Sequence, residues 1–249
     1  MSHEHPPVRI STVVPALNEA LSIEGVVEGL RAQPLLASGE VIVVDNGSTD
    51  GTGEAAARAG ARVVREERRG YGYACLAGVL AADAEVIVLL DGDAADDPDD
   101  LPRVLSPLLE GAADLVVGSR ALGERDRGSM TWQQVFGNKL ASFMMRAIYG
   151  IRVTDVGPFR TIRREDLLAL DMREMTYGWP SEMIVKAARS GYRYREVPVS
   201  YRRRIGVSKV GDTIVNSLKV GWYIISTILR YSRWKPPKPA ERRVAEVNR

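Results

Sequence analysis

The stretch VIVLLDGDAADDPDD, residues 86–100, runs five apolar residues straight into a cluster of carboxylates, with Asp91 and Asp93 separated by a single glycine. Like charges this close repel, so folding alone gives little reason to pair them. In extended backbone, residues two apart point the same way, and both carboxylates can address one point just past a buried strand. Mg²⁺ and Mn²⁺ take oxygen ligands, and Mg²⁺ is often held by one or two carboxylates while substrate phosphates and water complete its shell. The pair therefore reads as a divalent-metal site for a nucleotide diphosphate, and Gly92 as a position kept clear for the ligand's approach. The remaining acids, Asp96, Asp97, Asp99 and Asp100 around Pro98, read as the capped, dipole-complementing start of a helix.

Outward from this stretch, short apolar runs alternate with helical patterns: 8–14 then 19–31, 41–44 then 54–59, 62–64 then 71–82, 86–90 then 101–109, and 115–117. This βαβα order predicts an α/β fold whose mostly parallel sheet carries helices on both faces, with ligands at the carboxyl ends of its strands. Three loops then converge on one edge: PALNE (15–19), DNGSTDGT (45–52) and the acidic stretch. Asp45 is placed to accept hydrogen bonds from a nucleoside, while Ser48, Thr49 or Asp50 would cap the helix that follows. The second half is less regular. A helical stretch at 132–149 leads into TDVGPFRTIRRE (154–165), a helix at 182–190 and a strand-like RYREVPVSYRRR (193–204).

Composition removes several alternatives. A formal charge of +2 over 249 residues, with no strand interleaving aromatic and basic residues, argues against nucleic acid as a partner. The single cysteine, Cys75, excludes an internal disulfide, and both histidines, His3 and His5, lie in a polar N-terminal tail, so no Ser-His-Asp triad or cysteine-based zinc site is built. MSHEHPP has no basic segment followed by an apolar core, so no signal peptide is read there, and a reducing cytosol is the expected compartment, with the inner face of the plasma membrane as the expected site of attachment. Neither G-x-G-x-x-G after the first strand nor G-x-x-x-x-G-K-[ST] occurs, which disfavours a dinucleotide oxidoreductase and a P-loop enzyme.

Two segments are expected: a catalytic domain over 1–210 and, over 211–249, an amphipathic helix with a basic tail. Ile214, Leu218, Trp222, Ile225 and Leu229 recur at helical spacing, and Arg230, Arg233, Lys235, Lys238, Arg242 and Arg243 follow. The uncharged run between Lys219 and Arg230 is far shorter than the roughly 20 residues a bilayer crossing needs. The segment reads either as an interfacial helix drawn to anionic lipid or as a helix packed on the domain.

VVPALNEA, VIVVDNGSTDGT, LLDGDAADDP, DLVVGSR and the R-x-x-G-x-S-K motif at 203–209 together resemble the family 2 inverting glycosyltransferases of GT-A fold, with the dolichyl- and polyprenyl-phosphate mannose and glucose synthases as the nearest branch. The resemblance spans residues 8–209 and implies a GT-A, Rossmann-like domain that moves a hexose from a UDP- or GDP-sugar to a polyprenyl-phosphate-type lipid. It implies that Pro15, Ala16, Leu17, Glu19, Asp45, Gly92 and Lys209 contact the nucleotide sugar. Asp91 and Asp93 would hold Mg²⁺ or Mn²⁺ on its diphosphate, and Arg203, Ser208 and Lys209 would close over the phosphates. For the acceptor it implies Arg120, with Ser208 of the late basic motif; the family's next cation is not matched after Trp132, and Arg125, Arg127 or Arg160 is the candidate substitute. The family's glutamine after D-x-D is Ala95 here, which removes one metal ligand.

A phosphate acceptor is already ionised and needs cations. A hydroxyl acceptor needs a base, for which Asp155 and Glu182 are the candidates. Tyr177 and Trp179 are candidates for an apolar wall against the sugar. A reading from a different class is a non-catalytic, nucleotide-sugar-binding partner subunit, and an oligomer is compatible with any of these.

Overall fold

The computed structural model describes residues 8–206 and 214–236. β1 (Ile10–Ala16) is buried along its whole length, as a strand covered on both faces must be. It pairs in parallel with β2 (Glu40–Asp45) on one side and β4 (Val86–Leu89) on the other, and β2 pairs in parallel with β3 (Arg62–Arg65). Beyond β4, β6 (Arg160–Arg163) runs antiparallel between β4 and β5 (Leu115–Ser119), and β7 (Tyr194–Pro198) pairs in parallel with β5. The seven strands lie in the order β3-β2-β1-β4-β6-β5-β7. The mostly parallel sheet is the one expected. The antiparallel insertion of β6 is not, because its sequence, RTIR, has a single aliphatic residue and carries no alternation to read.

Residue alternation along the strands splits the core into two layers. Val13, Ile42, Val44, Ile87, Leu89, Leu115 and Val117 face α3 (Tyr71–Ala81), α5 (Trp132–Tyr149) and α7 (Trp179–Arg189). Val14, Val41, Val43, Val86, Val88 and Val116 face α1 (Ile23–Arg31), α2 (Thr52–Arg58) and α4 (Leu101–Leu109). A short α6 (Arg164–Ala169) follows β6 and buries Leu167.

The first layer closes tightly because α3 meets the sheet at a glycine. A Cβ on Gly78 would stand 2.3 Å from Val13 Cγ1 and 2.9 Å from Val44 Cγ2, so the helix backbone rests directly on β1 and β2.

The last helix, α8 (Ile214–Arg230), packs against α5 and α7, buries Thr227 and Ile228, and accepts the Tyr149 hydroxyl at the carbonyl of Ile228. Arg230 pairs with Glu174 at 3.2 Å. The helix expected as an appendage beyond residue 210 is thus part of the same packed body. No helix among the described residues is long and apolar enough to cross a membrane. Lys238, Arg242 and Arg243 lie outside the described residues.

We expect Gly78→Ala to destabilise the fold by about 1–3 kcal/mol through overpacking. A shift of the denaturation midpoint at constant m-value would report it, and an unchanged midpoint would contradict the close approach.

Candidate active site

The three loops expected to converge do so, and hydrogen bonds between them explain why. Asn18, with a left-handed φ of +52°, donates its backbone N–H to Ser48 Oγ at 2.9 Å and accepts the Thr49 N–H at its side-chain oxygen. Asp50 accepts the Ala20 N–H, and Thr52 Oγ1 accepts the Glu19 N–H at 2.8 Å. Ser48 and Thr49 therefore brace the neighbouring loop, while Asp50 does this and also accepts the N–H of Thr52, the first residue of α2, at 3.1 Å; the N-cap position itself is Gly51. Asp45 accepts the Ser48 N–H at 2.7 Å and shapes this turn. The next residue, Asn46, clips the β3–α3 connection by donating to the carbonyls of Glu66 and Arg68 and accepting the Gly70 N–H. Between these loops lies a cavity of about 360 Å³ whose wall includes Pro15, Ala16, Leu17, Glu19, Asn46 and Gly92.

Asp91 and Asp93 form one side of the cavity. Asp91 accepts the Tyr71 hydroxyl at 3.0 Å, while Asp93 accepts the Ala95 N–H at 2.9 Å and the Arg204 guanidinium. Backbone bonds from Arg202 to Ala95 and from Ile205 to Asp93 lay the 202–205 segment along this loop, and Ala94 between them sits in the left-handed region at φ +61°. Burial, then the charge on Asp93, pushes the Asp91 carboxyl up to about 7. Asp96 is not a helix cap. It is 2% exposed, both its carboxylate oxygens lack hydrogen-bond partners among the described residues, and burial followed by the charges of Asp91 and Asp93 raises it well above the ordinary range. Asp97 caps the short 3₁₀ turn Pro98–Asp100, and Asp100 accepts the Ser200 N–H. Gly92 keeps its place in the wall for a different reason from the one expected. A Cβ there would meet Ile23 Cδ1 at 3.1 Å and Val14 Cγ1 at 3.4 Å, so the missing side chain serves the apolar layer.

The expected bases and several expected cations are placed elsewhere. Asp155 is fully buried and accepts from Arg120 Nε at 2.6 Å, Arg120 Nη2 at 2.7 Å and Asn138 Nδ2 at 2.6 Å. Burial pushes this carboxyl up, but the Arg120 charge and these bonds outweigh it and hold it below the ordinary range. A base that low holds its charge by solvation from a cation and is poorly matched to accepting a proton near neutrality. Its role here is to fix Arg120, which also stacks over Tyr201 at 4.9 Å. Glu182 is fully buried as well; it pairs with Lys186 at 2.6 Å and accepts the N–H groups of Arg173 and Glu174.

Arg160 is 1% exposed and donates to the carbonyls of Pro158, Gly157 and Pro180 beneath the site, so it is not open to an acceptor. Arg203 bonds the 126–127 turn, and its neighbour Arg204 is the one that reaches the cavity. Ser208 and Lys209 lie outside the described residues.

Sequence reasoning also missed Arg69, Gly70, Tyr71, Lys219 and Tyr223, all part of the wall. The signal for the first group was GYG at 70–72. A Cβ on Gly72 would stand 2.5 Å from the Glu174 carbonyl, and Gly70 has φ +151°, so these glycines let the 174–177 loop close the cavity with Thr176 and Tyr177. Trp179 is buried in the core beneath.

An acidic pair at the end of an inner strand, with cations and a turn-bound cavity around it, is the arrangement of the GT-A glycosyltransferases. Residues 11–170 match the family model for glycosyl transferase family 2. An uncharacterized glycosyltransferase of Mycobacterium tuberculosis is 39% identical over 212 residues, covering 84% of this chain and 93% of that relative. The undecaprenyl-phosphate mannosyltransferase of Micrococcus luteus is 30% identical over 233 residues, covering 86% and 94%. Among solved structures, glucosyl-3-phosphoglycerate synthase from Mycobacterium tuberculosis in complex with Mn²⁺, uridine-diphosphate and phosphoglyceric acid superposes with a TM-score of 0.72 at 26% identity, over 93% of this chain and 80% of that one. The chain belongs to glycosyl transferase family 2, and it is a glycosyltransferase.

Asp91 sets a pH dependence of stability for the ligand-free protein. Its folded value of about 7 lies above the ordinary 3.8, so between these the native state holds a proton that the unfolded chain has released. Stability should therefore fall as pH rises through this window and level off above it. Asp91→Asn should reduce that slope in thermal unfolding scans, the raised Asp96 carboxyl supplying the remainder; an unchanged slope would remove Asp91 as a source. Separately, Asp155→Ala strands the buried Arg120 and should cost about 3–5 kcal/mol in chemical denaturation.

Proposed function

We propose that the chain transfers a hexosyl group from a nucleoside-diphosphate sugar to the phosphate of a polyprenyl-phosphate lipid, with inversion at the anomeric carbon. The observation that carries this reading is the state of the two expected bases. Asp155 and Glu182 are both consumed in buried ion pairs, while Arg69, Arg204 and Lys219 stand in the cavity wall. Such a site suits an acceptor that arrives already ionised and needs cations rather than proton removal. The named activity of the Micrococcus luteus relative supports the same acceptor class.

The residues fit a divalent cation. Asp91, Asp93 and the buried Asp96 concentrate negative charge, which among the described residues Arg204 meets directly at Asp93. Asp91 and Asp93 would hold Mg²⁺ or Mn²⁺, which supplies charge neutralisation for the departing diphosphate. The Mn²⁺ and uridine-diphosphate bound in the structurally similar synthase support this assignment. Pro15, Ala16, Leu17 and Glu19 border the nucleoside end of the cavity. An acceptor phosphate oxygen attacks the anomeric carbon as the bond to the diphosphate breaks, and the electron pair leaves with the nucleoside diphosphate. Arg204 lets go of Asp93 and turns its charge onto the phosphates, while Asp155 holds Arg120 in place against Tyr201.

A second reading has one observation in its favour. The structurally similar synthase is bound to phosphoglyceric acid, an acceptor with a hydroxyl. Incubating the protein with radiolabelled UDP-glucose or GDP-mannose and Mn²⁺, with polyprenyl phosphate or 3-phosphoglycerate offered in parallel, separates the two. Label entering the organic phase supports the lipid phosphate, and label found solely in a water-soluble glycoside overturns it. In calorimetry, Asp93→Ala should abolish Mn²⁺-supported donor binding; undiminished binding would show the metal assignment wrong. Arg204→Ala should bind Mn²⁺ more tightly without donor, because the competing guanidinium is gone, and bind the donor more weakly.

A further inference from the structure

Helix α5 is apolar on both sides. Its inner side buries Ala141 and Met145 in the core. Along its outer side, at spacings of four, three, four and three, run Trp132, Phe136, Lys139, Phe143 and Arg146, all exposed. Trp132 is 74% exposed, Phe136 63% and Phe143 67%. Two of the chain's three phenylalanines thus face outward from one helix. The spacing places these side chains on one stripe, and its composition is only aromatic and cationic. The adjoining α8 extends the pattern, with Trp222 68% exposed and Leu229, seven residues on, 53% exposed.

Charge tells what this face meets. Residues 127–154 and 213–240 contain no aspartate or glutamate, while Lys139, Arg146, Arg152, Lys219, Arg233 and Lys235 fall within them. A second copy of the chain would bring an equally cationic, acid-free face against this one, which repels. A water-facing helix would not place large aromatic side chains in a row. An anionic lipid surface satisfies both features at once. Aromatic side chains settle at the boundary between headgroups and acyl chains, and flanking lysine and arginine side chains reach the phosphates.

The geometry points to the outer face of α5, continued by Trp222 and Leu229 of α8, as the surface on which this protein docks to an anionic bilayer. α8 joins that surface to the active site, because Lys219 and Tyr223 line the cavity while Trp222 between them faces out. The docking surface is independent of the acceptor: a water-soluble acceptor would leave it standing.

The test is flotation of the full chain with phosphatidylcholine vesicles, with and without about one-third phosphatidylglycerol. The protein should float with the anionic vesicles, stay behind with the neutral ones, and be released by high salt. Phe136→Ser with Phe143→Ser, and separately Lys139→Glu with Arg146→Glu, should each weaken partitioning about tenfold or more. Neither pair touches the cavity, so Mn²⁺-supported donor binding and the unfolding midpoint should match the parent and certify a folded protein. Brominated lipid should quench Trp132 fluorescence, read as the difference between the parent and Trp132→Phe. Absence of flotation by the parent, or undiminished flotation by folded forms of both double variants, overturns the proposal. So does a parent that sediments as a dimer and becomes a monomer in Phe136→Ser/Phe143→Ser, which would give the face to a second copy.

Discussion

Three carboxylates crowded at the end of an inner strand are the constraint around which this molecule is organised. Burial raises the Asp91 and Asp96 carboxyls, and neighbouring charge adds to it, that of Asp93 on Asp91 and that of both on Asp96. In the ligand-free protein the excess is met by an incoming arginine, Arg204, from a segment more than a hundred residues along the chain. That ion pair, with the Arg202–Asp97 pair and the backbone bonds from Arg202 and Ile205, holds the 202–205 segment across the acidic loop and so closes a side of the cavity. A site that holds its own counter-ion in this way remains folded without metal, yet retains an affinity for any stronger cation that can take the arginine's place.

Around this centre, helix backbone approaches its neighbours more closely than a side chain would allow. Gly78 seats α3 on β1 and β2, and Gly70 and Gly72 admit the 174–177 loop to the start of α3. Both contacts fix where Tyr71 stands, and Tyr71 donates to Asp91. Packing of the first core layer and the electrostatics of the site are therefore one problem, solved by the placement of a single helix. The buried pairs Arg120–Asp155 and Lys186–Glu182 extend the same logic outward. Each takes a carboxylate that would suit acid–base work and converts it into a fixture that holds a neighbouring cation or loop.

The C-terminal helix changes meaning once its packing is known. As sequence it is a modest amphipathic segment with basic residues after it. In the fold it lies between α7 and α5, contributes Lys219 and Tyr223 to the cavity and keeps Trp222 outside. The GT-A body and the helices that flank its cavity form one unit, and two of those helices, α5 and α8, carry no acidic residue.

Read along the chain, the alternation of apolar runs and helical patterns determined the parallel core, because each strand's pattern is local and repeats within a few residues. The D-G-D at the end of β4 and the loops at 15–19 and 45–52 were legible for the same reason: their chemistry lies in adjacent residues at the ends of recognisable strands. What only the tertiary structure decided were partnerships between distant residues. Nothing local distinguishes Arg203 from Arg204, yet one bonds a surface turn and the other reaches Asp93. Asp155 and Glu182 look like free carboxylates until Arg120 and Lys186 are found against them. Asp96 looks like a cap until its burial beside the acidic pair is known. Periodicity reports which way a residue faces on its own element, whereas charge, solvation and pKa depend on what faces it from another, and that is set only when the chain has closed.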